Sequence, residues 1–149
     1  MKVRHVGITV CDLDKCINFY VNILGFKMHR KVLEAGKFID GISNLSDVSV
    51  TTVKMFSPKD PSSSMIELLK YHSHDTSIKK SSINEGGISH FAITVDNIDE
   101  IYKRLIKNNI EFNCKPLLSD DGGAFVTFCR DPENNLIEIV QVLNKWNQF

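Results

Sequence analysis

The stretch HVGITV, beginning at His5, returns as HFAITV at His90. Four of the six positions are identical: the histidine and the closing Ile-Thr-Val. Laying His5 on His90 also lays Leu13, Asp14, Cys16, Ile17, Tyr20 and Val21 on Ile98, Asp99, Ile101, Tyr102, Leu105 and Ile106. A repeat of this length restricts the chain to folds built from two copies of one unit.

In both copies the apolar positions recur at i, i+3, i+4, i+7 and i+8, which is one face of an amphipathic helix. Asp12 and Asn97 stand where an N-cap belongs, and Glu100 follows Asn97 by three residues. Gly25 and the Asn108-Asn109 pair suit the C-terminal ends. Each helix is preceded by an alternating strand. His5, Gly7 and Thr9 share one face against Val6, Ile8 and Val10; His90, Ala92 and Thr94 oppose Phe91, Ile93 and Val95. The apolar face is expected to pack on the helix. The histidine face carries small neighbours and so leaves room.

Each half closes with further strands. VSVTTVKMF (48–56) and MIELLKY (65–71) are joined by the turn-forming SPKDPSSS; GAFVTFC (123–129) and LIEIVQV (136–142) are joined by RDPENN. The polar run between the halves reads as a connector. The stretch 28–47 carries no clear period and suits a short strand, a loop or a lid.

Glu67 and Glu138 interrupt the apolar closing strands at matching places. An ionised carboxylate buried alone costs several kcal/mol or more, so such a residue needs a partner, and a divalent cation is the strongest one. Each half therefore offers a histidine on its first strand and a glutamate on its last. Two imidazoles and two carboxylates suit Zn, Ni, Co, Mn or Fe(II) better than Ca or Mg, and an octahedral ion keeps about two positions for water or substrate. A lone strand-end histidine, or one glutamate on a half-exposed strand, is ordinarily a solvated side chain. Four such residues at matched places in a repeat are harder to explain that way. The His72-x-His74 pair lies in the polar connector, where a solvated loop is expected. His29 has no counterpart in the other half.

Composition narrows the class. Of 149 residues, 42% are apolar and 24% charged, with 18 basic and 18 acidic side chains. Zero formal net charge gives no electrostatic footprint for nucleic acid or an anionic membrane. No membrane span or export signal is legible, which places the protein in the cytoplasm as an expectation. Cys11, Cys16, Cys114 and Cys129 form no C-x-x-C pair and read as reduced, mostly buried thiols. No Walker, dinucleotide or nucleophile-elbow pattern is present.

The segments HVGITVCDLDKCINFYVNILGF, MIELLKY, GGISHFAITVDNIDEIYKRL and DPENNLIEIVQ resemble the vicinal oxygen chelate superfamily, which includes glyoxalase I, methylmalonyl-CoA epimerase, extradiol dioxygenases and the fosfomycin and bleomycin resistance proteins. The resemblance implies an α+β fold of two tandem βαβββ modules whose curved mixed sheets enclose a metal site. It implies one domain over 1–149, with module 1 at 1–72, a connector at 73–87 and module 2 at 88–149. The metal ligands it implies fall on His5, Glu67, His90 and Glu138. The nearest members are glyoxalase I and the epimerase, so the implied activity is a metal-dependent lyase or isomerase. It would act on a small molecule with adjacent oxygen ligands, by removal of a proton alpha to a carbonyl. Glu138 is the first choice for the base and Glu67 its symmetric counterpart. Bacterial glyoxalase I also implies a homodimer. One departure stands out: KYHSHD follows Glu67 where glyoxalase I carries a Tyr/His-Asn-Trp-Gly stretch, while ELL at 67–69 is closer to the epimerase. Another metal-dependent enzyme, such as an extradiol dioxygenase, and a non-catalytic binding or resistance protein are the remaining alternatives.

Overall fold

In the computed structural model, which describes residues 1–143, each copy of the repeat becomes a four-stranded mixed sheet backed by a helix. The chain divides into two units, Met1–Lys79 and Lys80 onward. Unit 1 runs β1 (His5–Thr9), α1 (Leu13–Ile17), β2 (Lys27–Ala35), α2 (Lys37–Ser43), β3 (Ser49–Phe56) and β4 (Met65–Tyr71). Unit 2 runs β5 (His90–Thr94), α3 (Ile98–Lys107), β6 (Leu117–Leu118), β7 (Ala124–Arg130) and β8 (Leu136–Val142). The strand orders are β1-β4-β3-β2 and β5-β8-β7-β6. The first and last strands of each unit pair in parallel and the other neighbours antiparallel. This is the expected βαβββ module, made twice. The end of the expected second module, 144–149, lies outside the described residues.

Alternation decides which face of each sheet meets its helix. In unit 1, Ile8 and Val10 of the first strand and its exit join Val53, Met55, Ile66 and Leu68 as buried core, with Cys16, Phe19 and Tyr20 from the helical segment. Each large side chain buried there stabilises the fold by roughly 1.5–3 kcal/mol. In unit 2, Ile98, Leu105, Ile137 and Ile139 play the same part. Both N-caps form as expected: Asp12 Oδ1 accepts from the Lys15 N–H at 3.0 Å, and Asn97 Oδ1 from the Glu100 N–H at 3.0 Å. Gln141 of β8 adds a tie, its Oε1 accepting from the Ile98 N–H at 2.7 Å.

Two local features depart from the simple periodic reading. After α1 the chain widens into a π-helical segment, Asn18–Ile23. The wider turn brings adjacent Phe19 and Tyr20 both into the core, edge to face with centroids 5.0 Å apart, where a 3.6-residue period favours one of them. The segment 28–47, unreadable from its pattern, supplies most of β2 and all of α2, which ends at Asn44 in the left-handed region (φ 54). The cysteines form no disulfide; Cys16 and Cys129 are buried, Cys11 is half-buried and Cys114 is exposed. No helix among the described residues is long and apolar enough to cross a membrane.

Candidate functional site

Parallel pairing of first and last strands puts the singled-out residues side by side within each unit. In unit 1 His5 pairs with Met65 and Gly7 with Glu67, so His5, Gly7 and Glu67 share one face. His5 Nε2 lies 3.0 Å from Glu67 Oε2. In unit 2 His90 pairs with Leu136 and Ala92 with Glu138, the same offset, and His90 Nε2 lies 3.4 Å from Glu138 Oε2. Gly7 and Ala92 are the small residues paired with the two glutamates. A Cβ on Gly7 would already touch Leu69 Cδ1 at 3.4 Å.

The surroundings of the two pairs differ. Glu67 has a side chain only 10% exposed, and its second oxygen, Oε1, meets Lys54 Nζ at 3.2 Å. The pairing of Lys54 with Glu67 across β3 and β4 makes this a direct cross-strand contact. A carboxylate so enclosed is tolerable because both of its oxygens have partners. In unit 2 the position paired with Glu138 is Phe128. Its ring packs edge to face against His90, centroids 5.1 Å apart. The expectation of two buried glutamates thus holds for Glu67, while the Glu138 side chain is 24% exposed.

The imidazoles differ as well. His90 Nδ1 lies 2.7 Å from Ser89 Oγ. His5 Nδ1 is buried without a hydrogen-bond partner. In both rings Nε2 is the nitrogen turned toward the glutamate, so each unit presents one nitrogen and one carboxylate donor together on a partly open face. That donor chemistry fits a borderline divalent ion. Within either unit, no third His, Cys, Asp or Glu among the described residues joins the pair.

Sequence reading found the four paired residues and missed Lys54, Phe128 and Ser89. The signal for Lys54 was a lone charge inside the apolar run VSVTTVKMF; its pairing with Glu67 required the strand register. Of the other histidines, His72 Nε2 meets Thr51 Oγ1 at 2.8 Å and His74 Nδ1 meets Ser73 Oγ at 2.8 Å, both on the exposed surface. His29 packs edge to face with Phe56, centroids 6.3 Å apart.

Comparison with known proteins places the chain among relatives. A family model described as the Glyoxalase/Bleomycin resistance protein/Dioxygenase superfamily matches residues 2–139. The lactoylglutathione lyase of Schizosaccharomyces pombe is 28% identical over 145 residues, covering 93% of this chain and 47% of that protein. The chain therefore spans about half the length of that relative. The probable lactoylglutathione lyase of Synechocystis is 26% identical over 146 residues, covering 97% of this chain and 98% of that protein. A glyoxalase family protein from Bacillus cereus superimposes with a TM-score of 0.86 at 23% identity, covering 97% of this chain and 95% of that one. That likeness is one of fold.

Proposed function

The chain belongs to the Glyoxalase/Bleomycin resistance protein/Dioxygenase superfamily, and we propose that it is a divalent-metal-dependent lyase of the lactoylglutathione lyase type. The carrying observation is the same imidazole–carboxylate pair made twice at the same strand offset, 3.0 Å apart in one unit and 3.4 Å in the other. Relatives named lactoylglutathione lyase that match nearly all of this chain support the reaction class. In this reading His5, Glu67, His90 and Glu138 hold the ion. Zn, Ni, Co, Mn and Fe(II) all suit such a set.

A bound ion would polarise a substrate carbonyl as a Lewis acid. The chain's own task is to move one proton. Glu138 takes it from the carbon alpha to the carbonyl of a hemithioacetal and delivers it to the neighbouring carbon, while the hydroxyl proton on the first carbon is released to solvent and the former carbonyl oxygen takes one from solvent, so a hydroxy ketone becomes a hydroxy thioester with no net change in atoms. Glu138 suits this work because its side chain is part-exposed and its cross-strand partner is apolar Phe128 rather than a cation.

The test begins with elemental analysis of purified protein and continues with turnover of hemithioacetals and, in parallel, acyl-CoA thioesters. Metal uptake with hemithioacetal turnover is the expected result. Glu138→Gln keeps the shape and removes the base, so turnover should fall by roughly 10²–10⁴-fold. Turnover of acyl-CoA thioesters alone would replace the lyase by an epimerase, and protein that takes up no divalent ion at neutral pH would sink the catalytic reading.

A further inference from the structure

The two units share strand order and the His–Glu pair, but they differ at the residue directly across from the glutamate. In unit 1 that residue is Lys54; in unit 2 it is Phe128. We infer that Lys54 is a positioning residue that sets the two glutamates to different tasks, Glu67 held fixed and Glu138 left able to turn. This rests on the lyase reading for what the second task is, and on geometry alone for the first.

Both oxygens of Glu67 are occupied. Oε2 faces His5 Nε2 at 3.0 Å and Oε1 faces Lys54 Nζ at 3.2 Å, with the side chain 10% exposed. Rotation of that carboxylate would break two polar contacts at once, one of them to an ammonium, and strand the oxygens away from water. Lys54 is itself constrained, because its strand pairs with Glu67 on one side and Arg30 on the other, so a cation lies on the same face across the next strand. Like charges directly opposite repel, which favours the ammonium staying on the Glu67 side. Glu138 has only the longer contact, 3.4 Å from Oε2 to His90, and no hydrogen bond or ion pair among the described residues holds its other oxygen. A carboxylate that must collect a proton and give it back needs that latitude, whereas one that only holds an ion does not. One difference between the two copies, a lysine where the other has a phenylalanine, is thus enough to make a matched pair of acids unequal.

The test has two arms, both on the full chain. In metal-free protein, urea unfolding of wild type, Lys54→Met, Glu67→Gln and the double variant forms a double-mutant cycle. The expected coupling is about fivefold or more in the unfolding constant, with Lys54→Arg close to wild type because it keeps the charge. Additive effects would overturn the hold of Lys54 on Glu67, whatever activity the protein has. In metal-loaded protein at equal metal content, Glu138→Gln is compared with its combinations with Lys54→Met and Lys54→Arg. Releasing Glu67 should let it take over the proton, so solvent deuterium entry into substrate should rise about tenfold with methionine and stay low with arginine. The same residual exchange in both combinations would overturn the division of tasks. A wild-type protein without metal would fail the lyase reading and leave the first arm to decide whether Lys54 positions Glu67.

Discussion

Ser89 Oγ lies 2.7 Å from Nδ1 of His90, immediately next to it in the chain. A neutral imidazole that gives its Nδ1 proton to that hydroxyl carries a lone pair on Nε2, the nitrogen turned toward Glu138. Ser89→Ala should therefore weaken divalent metal binding by about 10–100-fold, while Ser89→Thr should keep most of it. Competition against a chromophoric chelator measures both. Equal affinity in the alanine variant would mean that the serine does not orient the ring.

Assembly has its own test. A homodimer with twofold symmetry is expected, closed isologous pairs being the commonest assembly. Where each site takes its first His–Glu pair from one chain and its second from the partner, mixing His5→Ala with His90→Ala chains leaves one site of every mixed dimer intact. Activity should then recover to about a quarter of wild type after exchange, from two inactive parents. An active protein that sediments as a monomer would refute this arrangement, and a dimer without recovery on mixing would assign each site to one chain.

The turn before β8 depends on one carboxylate. Asp131, 4% exposed, accepts from the Glu133 N–H at 2.9 Å, the Asn135 N–H at 2.8 Å and Asn135 Nδ2 at 3.0 Å. Asp131→Ala leaves buried donors unpaired and should destabilise the protein by about 1–3 kcal/mol. The urea midpoint should fall with the slope unchanged. Because this turn delivers Glu138 to its strand, metal affinity should fall with it.

Burial, and next the negative Asp131, push the Cys129 thiol up to about 12 from its ordinary 9.0. The folded state thus keeps a proton that the unfolded state releases once pH passes 9. The stability tied to this thiol is fully present below pH 9 and is lost as pH rises toward 12. Cys129→Val should show a shallower alkaline decline of the urea midpoint. At pH 8 a thiol reagent should label exposed Cys114 quickly and Cys129 only on unfolding.

Much of this was legible in the chain itself, for identifiable reasons. MIELLKY and LIEIVQV match β4 and β8 from end to end because a core strand flanked by turns leaves little choice of boundary. Asp12 and Asn97 were readable because capping is local. That each half carries a histidine on its first strand and a glutamate on its last followed from the repeat; that the two stand side by side needed the register. What stayed hidden depends on partners distant in sequence. β2 has mostly exposed residues, KMHRKVLEA, and a register shift between Met28 and Arg30, so it shows no clean alternation. Phe19 enters the core only because the helix widens, and Lys54 gains its meaning only from the strand beside it.

The parallel pairing of β1 with β4 and of β5 with β8 carries a consequence for how the protein comes into being. Histidine and glutamate of each pair stand at opposite ends of their module in the chain, so they meet only after the intervening helix and strands have been placed. Loop closure over that span must be met before the contact returns anything. A nascent chain cannot display either donor pair early, and a truncated module displays none. If the pairs hold an ion as proposed, its capture would in this sense be a check on completed modules: a chain that stops short of β4 or β8 has no partner to offer its histidine.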